Sequence, residues 1–148
     1  MPEDHATLNF DGFSELFPEI TPLNTPYWEG LAAGEVRLQR CQSCAAYQYP
    51  PESFCYACGA TELVWKPVSG EGTIYSFIVV HQAYHQAFRP FIPYTVVIVQ
   101  LDEGPRLLGT MLALQTPVEI GDRVKPKIRV VTPDQAFLSF EPIATDAA

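Results

Sequence analysis

All four cysteines of the chain fall into two C-x2-C pairs, Cys41-Gln-Ser-Cys44 and Cys55-Tyr-Ala-Cys58. In each pair a tight turn aims two thiolates at one point, and two such turns close a tetrahedron around a metal. Gly59 follows the second pair, where a residue tolerant of positive φ lets backbone N–H groups turn toward the sulfurs. Ala45 holds the matching place in the first pair, a less ideal choice. Two disulfides or a redox C-x-x-C centre compete with this reading. A redox centre calls for one pair beside a βαβ pattern, whereas here two pairs lie in a Pro- and Tyr-rich stretch. The expectation is a structural Zn2+ site with Cys41, Cys44, Cys55 and Cys58 as ligands. With all four ligands supplied by the chain, no position remains for water or substrate, so the metal holds structure and does no chemistry.

The 148 residues suffice for one real core plus a small metal-stapled appendage that core burial alone would not fold. A hydrophobic fraction of 47% and an aromatic fraction of 12% indicate a packed protein. No stretch approaches the roughly 20 apolar residues of a membrane span. The segment Met1-Pro-Glu-Asp-His5 lacks the basic, apolar and small-residue regions of a signal peptide. Thiolates kept for a metal suit a reducing compartment, so the expected location is the cytoplasm.

The net charge of −8 is unevenly placed. Up to Val36 the chain carries Glu3, Asp4, Asp11, Glu15, Glu19, Glu29 and Glu35 and no Lys or Arg, while the remainder is close to neutral. Because local patches decide binding, the acidic total does not by itself exclude nucleic acid.

The expected fold is mainly β, with a helical arm over 1–34, a four-cysteine zinc ribbon over 35–68, a five-stranded OB-type barrel over 69–142 and a disordered tail over 143–148. In the arm, Asp11 or Ser14 is placed to cap a short turn through Phe13, Leu16 and Phe17, which Pro18 ends. Thr25-Pro26 reads as an N-cap followed by proline at the first helical position, and Gly34 as the stop. The arm is too short and too poor in apolar residues to fold alone, so it must dock on its own domain or on a partner. Strands are expected over 35–39 and 62–66 of the ribbon. Later β-rich runs cover 73–81, 94–101, 107–112, 123–131 and 137–140, with Asp102-Glu-Gly-Pro105 making a hairpin of the second and third. Five strands with one long first connection match a small Greek-key barrel, and several are apolar on both faces, which calls for covered flanks.

These segments in this order resemble the DUF35 family of OB-fold, acyl-CoA-associated proteins with a rubredoxin-like zinc ribbon. The matching stretches are Thr25-Pro-Tyr-Trp-Glu-Gly-Leu31, the two knuckles with Tyr49-Pro-Pro51 between them, Ser69-Gly-Glu-Gly-Thr73, Pro93-Tyr94 and Leu101-Asp-Glu-Gly-Pro-Arg-Leu-Leu108. The resemblance implies a non-catalytic subunit that binds a thiolase-fold acyltransferase or aldolase, or a hot-dog-fold hydratase. It also implies help in shaping an acyl-CoA entrance, with a coenzyme A thioester at a shared site.

The residues themselves show no catalytic constellation. His5 lies near the N-terminus, while His81 and His85 have helical spacing in a non-helical context and read as surface or interface groups. Ser69-Gly-Glu-Gly72 leads into a strand, so it serves as a bend and not as a phosphate loop. Two surfaces stand out. The connection 82–93 carries Tyr84, Phe88, Phe91 and Ile92 with Arg89, an apolar set for a loop; either it contacts a partner or an acyl chain, or it tucks under the arm. Arg123, Lys125, Lys127 and Arg129 alternate, which places four cations along one face over roughly 20 Å while Val124, Ile128 and Val130 face the core. Such a stripe suits coenzyme A phosphates, an acidic partner or a solvated edge strand, and Pro126 favours an edge. A zinc-ribbon/OB module for single-stranded nucleic acid is the alternative function. It is disfavoured by few cations and by the acidic arm.

Overall fold

The computed structural model describes residues 8–112 and 117–143. The expected tail, apart from Ile143, lies outside the described residues.

Helix α1 spans Thr25–Ala32 and begins one residue earlier than the Thr-Pro signal suggests. Thr25 is the first helical residue and Asn24 stands at the cap position, because the Thr25 hydroxyl turns back and donates to the Thr21 carbonyl at 2.7 Å. The helix ends as expected at Gly34, whose φ of 83° lets Gly34 N–H reach Leu31 O and Glu35 N–H reach Gly30 O. Ahead of it, Phe13–Leu16 form a 3-10 turn capped by Gly12 in the left-handed region, with no side-chain cap from Asp11 or Ser14.

The ribbon is a three-stranded antiparallel sheet in the order β2 (Tyr47–Gln48), β1 (Val36–Cys41), β3 (Leu63–Val68). Five further strands, β4 (Gly72–Val80), β5 (Tyr94–Leu101), β6 (Arg106–Met111), β7 (Arg123–Thr132) and β8 (Gln135–Pro142), close a barrel in the order β4-β5-β6-β8-β7. The parallel contact of β6 with β8, Thr110 against Ser139, completes the Greek-key path of an OB-fold. Closure between β4 and β7 is brief, limited to Gly72 against Val124 and Thr73 against Arg123. Pro126 lies just beyond it, where β7 needs no donor on that side, so the strand has an open edge within a closed barrel.

One core runs through arm, ribbon and barrel. Leu31 of α1, Leu38 of β1 and Val97, Val99 and Val124 of the barrel belong to a single buried cluster, so the arm docks on its own domain. The barrel also locks the bend into it. The Glu103 carboxylate, at the tip of the β5–β6 hairpin, accepts from Ser69 Oγ and from Gly70 N–H at 2.9 Å each.

A second cluster fills the barrel end beneath the arm and draws on four distant parts of the chain. Phe13, Ala87, Phe91 and Leu112 are buried there, with Phe10, Phe88 and Phe137 packed against them. Phe10 stacks on Phe91 at 5.7 Å between centroids, and Phe13 on Phe137 at 5.4 Å.

Candidate functional site

In the ribbon, β1 delivers Cys41 at its last position, and the second knuckle follows the 49–54 loop. The two turns are built alike. Ala45 N–H bonds to Cys41 O and Gly59 N–H to Cys55 O, both at 2.9 Å, with φ of 65° at Ala45 and 78° at Gly59. Ala45 thus holds the left-handed conformation that glycine holds in the second turn. The four sulfurs lie within 4.8 Å of one another, with Cys41–Cys58 and Cys44–Cys55 each at 3.6 Å. Zn–S bonds of about 2.3 Å in a tetrahedron place sulfurs about 3.8 Å apart, so the cradle fits the ion. A disulfide needs about 2.05 Å, which none of these pairs approaches. Backbone N–H groups, first that of Cys58, hold the Cys55 thiol down to about 6, and that of Cys44 likewise lowers Cys41. Cys44 and Cys58 are instead pushed up by the sulfurs they face, so without a metal one thiol of each close pair keeps its proton. When bound, the metal supplies cross-linking of β1 to the second knuckle.

The second knuckle is also pinned by a buried amide pair that the sequence reading missed. Gln48 donates to Gln39 Oε1 at 2.9 Å and to Phe54 O at 3.0 Å, while Gln39 Oε1 accepts from Glu52 N–H and Gln48 Oε1 from Tyr56 N–H. Two glutamines at strand positions look like surface residues in one dimension. Their pairing becomes visible only once Gln39 is set opposite Gln48 across β1 and β2.

The aromatic connection contains a 3-10 turn at Gln86–Phe91, whose first N–H groups are capped by His85, with Nδ1 accepting from Ala87 N–H at 3.1 Å. Phe91 is only 7% exposed, and Phe88 is half-buried between Phe13 and Tyr94. The loop therefore does not offer its phenylalanines to water. Tyr84, 81% exposed, and Arg89 are the members left open.

Nor is the cationic stripe uniform. Arg123 makes a bidentate pair with Asp102 at 2.7 Å through each nitrogen and approaches Glu71, whereas Lys125 lies 3.6 Å from Glu141. Arg129 is partly buried, with its Nε unpartnered among the described residues, and burial lowers its pKa. Lys127 lines a shallow cleft between ribbon and barrel that also holds Glu35, Glu71 and Glu141. Val130, placed on the core side by strict alternation, is 59% exposed, and near this end of β7 its neighbour Val131 packs against the second cluster instead.

Residues 28–64 match the family model for the rubredoxin-like zinc ribbon domain of ChsH2, and residues 65–129 match that for its C-terminal OB-fold domain. A DUF35 domain-containing scaffold protein of Methanocaldococcus jannaschii is 32% identical over 97 residues, which cover 64% of this chain and 68% of that protein. The chain belongs to the DUF35 family. A DUF35 structure described as the Ltp2-ChsH2(DUF35) aldolase superposes with a TM-score of 0.76 at 31% identity, covering 85% of this chain and 98% of that one. A probable enoyl-CoA hydratase alpha subunit of Thermomonospora curvata is 33% identical over 105 residues, 70% of this chain. The chain spans about a third of that subunit's length (32%). This DUF35 chain carries its four cysteines on the ribbon, and among the described residues they form the one cluster of metal-ligating groups.

Proposed function

We propose that this DUF35 chain is a non-catalytic accessory subunit that binds a thiolase-fold acyltransferase or aldolase, or a hot-dog-fold hydratase, and helps shape its acyl-CoA site. The observation that carries the reading is the likeness, at 31% identity and over 98% of its length, to the DUF35 chain of an aldolase assembly. The chemistry of this chain supports it. Its thiolates are committed to a closed metal site, and His85 spends its ring nitrogen on a backbone cap. Among the described residues no nucleophile stands paired with a base. The coenzyme A thioester would meet this subunit at a site shared with the enzyme, where Lys127 and Arg89 are cations outside the ion pairs described above.

A single-stranded nucleic acid finds little to hold. The strands by which OB-folds bind such ligands are β5 and β6, and here they carry one cation, Arg106.

The test is a tagged chain expressed in its native host, recovered gently and analysed by mass spectrometry and light scattering. Recovery of a thiolase-fold or hydratase subunit at fixed stoichiometry is expected. Recovery of nucleic acid alone, released by salt, would overturn the reading.

A further inference from the structure

An antiparallel sheet with one wet face alternates apolar and polar residues, but β4, β5 and β6 do not. Arg106 is the only charged residue in these three strands, in a chain of net charge −8. The inward set is clear from burial: Thr95, Val97, Val99 and Leu101 of β5, with Leu107, Gly109 and Met111 of β6. The opposite face is therefore built from what remains. Register aligns it in rows, with Ile78 beside Val96 beside Thr110, and Ser76 beside Ile98 beside Leu108. Ile78 is 61% exposed and Leu108 66%. Among the described residues, helix α1 of the arm packs on β1 and β8 and not on this face.

One end of the strip carries a cation already arranged for use. The bulge in β4 turns Tyr75 outward, and the Arg106 guanidinium lies 3.7 Å from its ring centroid. Arg106 Nε donates to Gln100 Oε1 at 2.8 Å, and among the described residues the guanidinium has no ion pair. Both neighbouring carboxylates are engaged, Asp102 with Arg123 and Glu103 with the Ser69-Gly70 bend. At the other side of the strip, Thr110 also lines an apolar pocket of about 190 Å³ shared with Phe13, Leu16, Phe17, Trp28 and Phe88. An apolar cavity of about 150 Å³ takes up benzene, so this one admits a single Leu- or Phe-sized side chain.

We propose that the outer face of β4–β5–β6 is where the enzyme subunit docks, with an apolar anchor residue in the pocket and a carboxylate against Arg106. This rests on the accessory-subunit reading above. The charge pattern selects the occupant. A second copy of the chain would meet this face by two-fold symmetry and must find its own complement there. The face offers a cation and no carboxylate, so self-pairing leaves both guanidiniums without a counter-charge. A partner with an apolar patch and an acidic rim satisfies both features, and Tyr and Arg are among the residues in which interface hot spots are enriched.

The test uses the full chain and the purified enzyme subunit recovered with it, measured by calorimetry and light scattering. The double variant Ile78→Glu/Leu108→Glu and the single variant Arg106→Glu alter exposed side chains, and zinc content and urea midpoint establish that each is folded. Binding is expected to weaken at least about 30-fold for the double variant and about 10-fold for Arg106→Glu. Folded variants that bind within about twofold of the parent overturn the docking face while leaving the accessory role standing. A parent chain that binds no enzyme subunit overturns the role and the face together, and a parent that dimerises through this face replaces the enzyme by a second copy.

Discussion

Truncating Phe91 to alanine separates a packing role for the aromatic connection from a binding role. Phe91 is buried beneath the arm, stacked on Phe10 and edge-on to Phe13 at 5.8 Å. Removing a buried Phe side chain costs about 3–5 kcal/mol, the sum of lost transfer energy and residual cavity. The lower end, about 3 kcal/mol, applies here because Phe10 sits on an arm that can settle into the gap. Against a total stability of about 5–15 kcal/mol this is a large fraction. For a chain of this size it lowers Tm by about 6–12 °C. The assay is urea unfolding followed by tryptophan fluorescence, with Trp28 on helix α1 of the arm and Trp65 on the ribbon. Zinc content should stay at one per chain, because the cluster does not include the ribbon. Tyr84→Ala, at an exposed site, serves as the control and should change stability by no more than about 0.5 kcal/mol. A Phe91→Ala midpoint shift equivalent to under about 1 kcal/mol, with unchanged slope, would refute the packing argument.

Two other outcomes follow from the geometry. Purified chain should carry one zinc, and Cys55→Ser or a strong chelator should remove it and unfold the ribbon, because the knuckles hold the end of β1; unchanged ribbon amide protection after metal loss would contradict this. Burial holds the Tyr27 hydroxyl protonated well above its ordinary value, so in alkali the unfolded chain loses a proton that the folded chain keeps. Stability is then constant below about pH 10 and falls by about 1.4 kcal/mol per pH unit above it from this group. Tyr27→Phe should flatten that slope in urea midpoints taken from pH 9 to 11, and an identical slope in both proteins would show that Tyr27 is not the group responsible.

Local pattern was enough for the metal ligands and for most strands. Two C-x2-C turns carry their geometry within a few residues, and β5 begins and ends at Tyr94 and Leu101, where its apolar run does. Alternation, in contrast, misplaced Val130, because it is Val131 that packs against the second cluster, and that cluster is assembled from distant parts of the chain. The aromatic connection was open to two readings because its neighbours Phe10, Phe13 and Phe137 are far away in the chain. The stripe of cations was likewise legible, but not that Asp102, at the turn of another hairpin, neutralises Arg123.

By itself the sequence determined the zinc ribbon, the β-rich barrel and their order, because spacing and periodicity are local and each residue's partners lie close by. Only the tertiary structure decided which apolar side chains are core and which are surface. Among the described residues α1 lies on β8 and β1 while Ile78 of β4 and Leu108 of β6 stay exposed, and that difference arises from where α1 lands once Leu31 and Leu38 enter the shared core. Burial depends on what covers a residue, and coverage is a long-range property that no window of sequence contains.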